Sequence, residues 1–164
     1  MTDSIVLLQA GHTPRLSRLL DFALADTQVE RADLQQLEAM ALQGRRVLIA
    51  LTTGAGGMSL EAFSLLQSLR THPDCLRGAV GALLVDGDGE LYTKQAAQAV
   101  ALAANLAGCL FPGKPLVEGT GSLYNQHILA RQLDLPWEET YFTRARELVG
   151  RLAQFTAPRF SRPR

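Results

Sequence analysis

Residues 45–69 read RRVLIALTTGAGGMSLEAFSLLQSL, an apolar run followed by a glycine-rich turn and an amphipathic segment. Residues 47–51 (VLIAL) are continuously apolar, which is typical of a strand buried on both faces of a sheet. Ser59 is a suitable N-cap, and Glu61 falls in the first turn of the helix that would follow. The apolar residues that recur at helical spacing in this helix are Leu60, Phe63, Leu66 and Leu69. The stretch therefore predicts a strand, a loop and a helix.

The glycines of the connecting loop are its most informative feature. Gly54, Gly56 and Gly57 can adopt positive φ and allow a flat ligand or another backbone to approach closely. In an α/β sheet, the loop that leaves the carboxyl end of a central strand is a place where ligands bind. The same glycines also suit an ordinary strand-to-helix turn, and both interpretations stay open at this point.

Strand-like and helix-like segments alternate five times along the chain, which predicts an α/β fold with a parallel sheet and helices on both faces. The predicted strands are 5–8, 27–32, 47–51, 79–85 and 115–118. The predicted helices are 13–25, 33–43 (ending at Gly44), 59–71, 93–107 (ending at Gly108), 123–133 and a last one from about residue 136. The strand order 2-1-3-4-5 would bring loops 9–13 and 52–58 to one crevice, with 86–92 beside them.

Length and composition indicate one soluble domain over residues 1–156 and a flexible basic tail over 157–164. Sixteen basic and sixteen acidic residues give no net charge, so nothing favours capture of nucleic acid or of an anionic membrane. The sequence shows no secretory signal and no membrane-spanning run, which predicts a cytoplasmic location. Cys75 and Cys109 are then expected to be reduced thiols.

The segment 51–63 (LTTGAGGMSLEAF) resembles the flavodoxin-like superfamily, including its NAD(P)H-dependent FMN reductases and small flavodoxin-like oxidoreductases. In that superfamily a loop with Gly-Gly-Met precedes a helix and covers the flavin ring. The resemblance implies a flavodoxin-like three-layer sandwich with a five-stranded parallel sheet. It also implies FMN as cofactor, NAD(P)H as electron donor, and a quinone or a second flavin as acceptor.

The resemblance also assigns candidate cofactor-binding residues in three loops. The residues that would line the isoalloxazine are Thr52, Thr53, Gly54, Ala55, Gly56, Gly57 and Met58. Gly11, His12 and Thr13 fall where the superfamily binds the FMN phosphate. Backbone N–H groups at a helix N-terminus favour an anion there, and the Thr13 hydroxyl and Arg15 add to them. The residues expected beside the crevice are Asp86, Gly87 and Tyr92. Tyr92 suits either an aromatic contact to the flavin or internal packing.

Two departures from the superfamily pattern favour a second hypothesis, a cofactor-free interaction module. The first loop offers only the Thr13 hydroxyl, and Pro14 removes one N–H donor from the turn that would hold the phosphate. Ala55 stands where relatives often have an aromatic residue stacked on the flavin. A receiver domain is excluded because strand 1 ends in Gln9-Ala10 and strand 3 in Thr52-Thr53, without the required acidic residues.

Other motifs carry weaker predictions. Residues 86–90 (DGDGE) lack the further ligands of a calcium loop, so we expect a solvated turn and no metal. Residues 118–122 (EGTGS) lack the third glycine of a dinucleotide fingerprint and are interpreted as a turn capped by Ser122. No set of catalytic side chains can be assembled from the three scattered histidines. The alanine-rich helix 93–107 and the aromatic C-terminal helix suit either a homodimer interface or internal packing.

Overall fold

The structure is a computed structural model that describes residues 4–33, 37, 42–54, 57–87, 90–117, 134 and 137–155. Within this part the strands are β1 (Ile5–Ala10), β2 (Val29–Ala32), β3 (Arg46–Gly54), β4 (Gly57–Met58), β5 (Val80–Gly87) and β6 (Leu116–Val117). The helices of the same part are α1 (Pro14–Ala23), α2 (Leu60–Thr71), α3 (Glu90–Leu106) and α4 (Trp137–Gln154).

The sheet has the order β2-β1-β3-β5-β6, and every neighbouring pair in that path is parallel. The short β4 pairs antiparallel with the end of β3, through Thr53 with Met58 and Gly54 with Gly57. When β4 is set aside, the path is the predicted five-strand order 2-1-3-4-5. The predicted α/β class and strand order are therefore confirmed.

Two apolar layers cover the two faces of this sheet. On β3, Val47, Ile49 and Leu51 belong to the core that packs under α2 and α3, whereas Leu48 and Ala50 belong to the core under α1 and α4. This alternation is the expected consequence of side chains that point to opposite faces along a strand. Because both faces are buried there, residues 47–51 of the strand are all apolar, as the sequence indicated.

Local signals in the sequence correctly mark several helix ends. The Thr13 side chain caps α1 by accepting a hydrogen bond from the Leu16 amide at 3.1 Å, and Pro14 is the first helical residue. Ser59 caps α2 in the same way, accepting from Ala62 at 3.1 Å. After α3, Gly108 has a φ of 95° and lies against the backbone of Arg77, a position where a side chain does not fit.

The apolar stripe predicted for α2 is partly wrong. Leu60 is 79% exposed and Phe63 is 49% exposed, while Leu66 and Leu69 are buried as expected. A repeated spacing of three residues drifts about 60° around a helix at each step, so four such positions do not share one face. The buried face instead follows the i, i+3, i+4, i+7 pattern of Ala62, Leu65, Leu66 and Leu69.

The last helix shows a similar difference at its end. The spacing of Trp137, Tyr141, Leu148, Leu152 and Phe155 in the sequence predicts one common helix face. Tyr141, Leu148 and Leu152 are buried on that face, but Phe155 is 44% exposed. Phe155 follows the last helical residue, Gln154, so the helical spacing no longer sets the direction of its side chain.

Several predictions lie outside the described residues: most of helix 33–43, the turn 118–122, helix 123–133 with His127, and the tail 157–164. In the described part of the chain, no helix combines the length and the apolar character that a membrane crossing requires.

Candidate functional site

Three parallel strands, β1, β3 and β5, end at one edge of the sheet, which we call the crevice edge. Its described residues are 11–13, 52–54, 57–58, 86–87 and 90–92. β1 ends at Ala10, level with Leu51, so β3 continues past it by three residues. β5 continues alongside, with Thr52 opposite Asp86 and Thr53 opposite Gly87. Gly54, Asp86 and Gly87 therefore belong to strands, whereas the sequence placed them in turns. Thr52 and Thr53 lie near the end of β3.

Gly11 brings the first loop into direct contact with β3. Its φ is 93°, which a residue with a side chain adopts only under strain. A Cβ atom at this position would overlap the Thr52 hydroxyl and would also approach the Ser59 hydroxyl. The structure thus brings Gly11 and Thr52, predicted from separate parts of the sequence, into one site.

The N-terminus of α1 forms the end of the crevice edge nearest β1. The Thr13 hydroxyl oxygen accepts a hydrogen bond from the Leu16 amide through one lone pair. The hydrogen of the same hydroxyl can therefore still donate to another group. His12 is exposed, and its ring Nδ1 lies 2.9 Å from Nε2 of Gln9. Gln9 is in turn held by Arg31, whose Nη1 donates to Oε1 at 3.1 Å. His12 is therefore linked to polar side chains near the ends of β1 and β2.

Arg15 forms an ion pair with Asp86 that the sequence did not indicate. The guanidinium binds in a fork, with Nη2 2.6 Å from Oδ1 and Nε 3.3 Å from Oδ2. The Asp86 side chain is 3% exposed and that of Arg15 is 32% exposed. Such a two-point contact is among the stronger polar interactions of proteins. It links the first turn of α1 to the end of β5 across the crevice edge.

Tyr141 of α4 also contacts Asp86. Its hydroxyl lies 3.4 Å from both Oδ1 of Asp86 and the Val85 carbonyl oxygen. The Arg15 guanidinium carbon lies 6.0 Å from the centre of the Tyr141 ring. Asp86 is thus a buried carboxylate with two partners, and its expected place in a solvated turn is wrong. A signal was available, since an Asp that ends a buried strand requires a charged or hydrogen-bonding partner.

Thr53 carries a buried hydroxyl that has no hydrogen-bond partner among the described residues. It is close to Gly87, because a Cβ atom at Gly87 would overlap this hydroxyl. Buried polar atoms are nearly always partnered in folded proteins, so an unsatisfied hydroxyl at the end of a central strand calls for a partner from elsewhere.

Gly57 and Tyr92 meet on the far side of the crevice edge. Gly57 has a φ of 104°, and the nearest atom to a Cβ added there is Cδ1 of Tyr92, at 3.7 Å. Tyr92 is 41% exposed, and Met58 is half-buried against the core under α2 and α3. An aromatic ring therefore stands beside the glycine loop. Ala55 and Gly56, also predicted here, lie outside the described residues.

The two cysteines take no part in this edge. Cys109 is buried, and burial raises the pKa of its thiol to about 12, with a smaller contribution from Cys75. Burial also raises the pKa of Cys75. Both thiols are protonated at neutral pH, and a thiol is a poor nucleophile compared with a thiolate. Neither is a candidate for catalysis.

Comparison with solved structures gives the fold. The chain matches no model of a known protein family and no curated protein. A short-chain flavodoxin associated with a non-canonical PDU bacterial microcompartment superimposes with a TM-score of 0.54 at 16% identity, covering 91% of this chain and 97% of the flavodoxin. The chain has a flavodoxin-like fold. In a flavodoxin-like fold, the crevice edge is the switch point of the strand order, between β1 and β3.

Two other solved structures align with this flavodoxin-like chain at lower scores. The flavodoxin, WrbA-like protein from Agrobacterium tumefaciens has a TM-score of 0.48 at 15% identity and covers 92% of this chain and 97% of its own. The Trp repressor binding protein from Bacillus subtilis has a TM-score of 0.44 at 12% identity, and the alignment covers 90% of this chain and 98% of that protein.

Proposed function

We propose that the crevice edge binds FMN and that the protein is an oxidoreductase, which passes electrons from NAD(P)H through the flavin to a small acceptor such as a quinone or a second flavin. The observation that carries this proposal concerns the switch point of the flavodoxin-like sheet. There the N-terminus of α1 lies next to the ends of two strands that carry glycines. The flavodoxin that superimposes on the chain supports a flavin as the ligand.

The phosphate end of the cofactor fits the first loop. A helix N-terminus favours an anion, because its backbone N–H groups and the positive end of its dipole point outward. Thr13 has a hydroxyl hydrogen to donate, and the Asp86 carboxylate holds Arg15 in the first turn of the helix. In this proposal Gly11, His12 and Thr13 surround the phosphate and Arg15 supplies positive charge.

The ring end fits the segment from the end of β3 to β4. The Thr53 hydroxyl has no hydrogen-bond partner among the described residues, and Gly57 lies beside the Tyr92 ring. Residues 52–58, with Gly87 and Tyr92, would position the isoalloxazine and exclude water from one of its faces. Bound FMN would supply the redox chemistry, so the chain itself needs no catalytic acid or base.

A titration with two flavins tests the proposal. FMN and riboflavin share the ring, and only FMN has the phosphate, so we expect FMN to bind more tightly by at least tenfold. Arg15→Gln should weaken FMN and leave riboflavin unchanged. Arg18→Gln is the matched control, because Arg18 lies on the same helix and pairs with Glu138 at the surface. Equal affinities for the two flavins in the unmodified protein would contradict the phosphate assignment.

The electron donor is tested separately on the reconstituted protein. Oxidation of NADH or NADPH with a soluble quinone should require bound FMN and should stop in the protein without it. If FMN binds but neither nucleotide is oxidised, the NAD(P)H part of the proposal is wrong, and the flavin part stands.

A cofactor-free interaction module is the second candidate, and the Arg15–Asp86 ion pair favours it. A guanidinium already neutralised by a buried carboxylate attracts a phosphate less strongly than an isolated one. This candidate predicts that the protein retains no FMN and no riboflavin at micromolar concentration.

We also propose that the protein forms a homodimer through α3. Leu102 and Leu106 are one turn apart on this helix and are both exposed, which leaves an apolar strip on its outer face. Light scattering at micromolar concentration should give about twice the chain mass of 17.8 kDa. Leu106→Glu should return it to one chain, and a monomer in the unmodified protein would contradict the proposal.

A further inference from the structure

A cavity lies between β5 and α4, far from the crevice edge. We call it the β5–α4 cavity; its volume is about 50 Å³. Its apolar walls include Ala82, Leu148, Leu152 and Phe155. Ala82 is five residues before Gly87 along β5, which places the cavity about 17 Å from the crevice edge, at the opposite end of the strand. The cavity is therefore no part of the proposed flavin site.

A proline opens this cavity by interrupting the sheet. Leu110 pairs with the start of β5 through two hydrogen bonds. The Leu110 amide donates to the Ala79 carbonyl, and the Leu110 carbonyl accepts from the Gly81 amide. The next rung of a parallel ladder would join the amide of residue 112 to the Gly81 carbonyl. Residue 112 is a proline and has no N–H, so the rung cannot form. Pairing resumes only at β6, and the chain between leaves a gap beside Gly81 and Ala82.

Two positive side chains line the cavity, and neither has an acidic partner among the residues that the structure describes. Lys114 lies in the segment between Leu110 and β6, and Arg151 lies in the last turn of α4. Both residues are exposed, and neither forms an ion pair within the described part of the chain. A basic residue in a last turn also complements the helix dipole, which accounts for Arg151 but not for Lys114.

Buried leucines and one hydrogen bond hold the floor of the cavity. Leu148 and Leu152 are buried, and the carbonyl of Phe155 accepts a hydrogen bond from Nε of Arg46 at 2.8 Å, which fixes the chain just after α4. Preformed apolar walls with a few charged groups at the opening are typical of small-molecule sites. A ligand that fits must combine an apolar body with an anionic group.

We propose that the β5–α4 cavity binds a small organic carboxylate with a short branched apolar body. A cavity of about 150 Å³ accommodates benzene, so the 50 Å³ here suits a group about the size of isopropyl. Lys114 and Arg151 bind the carboxylate, while Ala82, Leu148 and Leu152 contact the alkyl group. Inorganic phosphate fits less well, because the apolar walls would remain in contact with water.

The test is a nuclear magnetic resonance titration of the whole chain with 3-methylbutanoate at constant ionic strength. We expect saturable shifts of the Gly81, Ala82 and Gly113 amides, with no shift at Gly11 or Gly57. The neutral amide of the same acid should bind at least tenfold more weakly, because it lacks the charge that the two cations recognise.

Lys114 and Arg151 are exposed, so we expect substitutions there to keep the fold and to show how much each cation contributes to binding. Lys114→Gln and Arg151→Gln should each weaken 3-methylbutanoate at least fivefold. Lys94→Gln removes one charge from the exposed side of α3 and should leave the affinity unchanged. Equal binding of acid and amide, loss of affinity in all three variants alike, or shifts only at the crevice edge would each overturn the proposal. A failure of FMN binding would leave this result unaffected.

Discussion

Replacement of Asp86 by Asn tests the ion pair at the centre of the crevice edge. The substitution keeps the shape of the side chain but removes the charge that neutralises Arg15. Exposed ion pairs contribute about 0–1 kcal/mol, and breaking a fully buried pair costs about 3–5 kcal/mol. Asp86 is buried, whereas Arg15 is one-third exposed and can regain water. We therefore expect Asp86→Asn to lower the free energy of unfolding by about 2 kcal/mol.

Urea unfolding at pH 7 measures this loss in a double-mutant cycle with Arg15→Gln. The two residues bind through two hydrogen bonds, so the coupling energy should reach about 1 kcal/mol or more. Arg77→Gln is the control, because the Arg77–Asp74 pair is more than half exposed on both sides. It should cost less than about 1 kcal/mol. Additive effects of Asp86→Asn and Arg15→Gln, within about 0.5 kcal/mol, would refute the reasoning.

Three further predictions concern stability. Gly11→Ala should cost about 2–4 kcal/mol, since it combines backbone strain with overlap onto β3, whereas Gly113→Ala, with open space around it, should stay within about 0.5 kcal/mol. Leu65→Ala should cost about 2–5 kcal/mol and Leu60→Ala less than about 0.5 kcal/mol, because only Leu65 is buried. Between pH 8 and pH 10 the free energy of unfolding of the protein should fall by about 1.4 kcal/mol more than that of its Cys109→Ala variant. Burial raises the pKa of this thiol from 9.0 to about 12, so only the unfolded chain ionises in that range.

Urea unfolding also checks these three predictions, and each has a contrary result. A Gly11→Ala protein as stable as Gly113→Ala would show that the first loop does not press on β3. Equal losses from Leu65→Ala and Leu60→Ala would contradict the buried face assigned to α2. The stability contributed by Cys109 is fully present below pH 9 and is lost as the pH rises toward 12, so parallel pH profiles of the protein and Cys109→Ala would contradict its burial.

The fold was largely predictable, because its signals are local and periodic. The apolar run at 47–51 and the caps at Thr13 and Ser59 depend on neighbours along the chain, and the structure confirms them. The alternation of strands and helices and the right-handed crossovers leave few topologies, and the order 2-1-3-4-5 is one of them. The exposed position of Phe63 was missed because the chosen spacing drifts around the helix.

The candidate site was predictable only in part, because its contacts join distant residues. The loops that meet at the crevice edge followed from topology, and Gly11 and Thr52 indeed touch. The pairing of Arg15 with Asp86 spans 71 positions, and no local pattern links the two residues. Tyr141 comes from a helix on one face of the sheet, and its spacing identified it only as a core residue.

The most direct measurement is the absorbance spectrum of the protein after incubation with FMN and removal of free flavin by desalting. The account predicts flavin bands at close to one FMN per chain, and fewer in Gly11→Ala, whose first loop cannot keep its place against Thr52. Flavin-free protein after desalting, together with no binding in a titration at micromolar concentration, would contradict the account and leave the interaction module as the function to pursue.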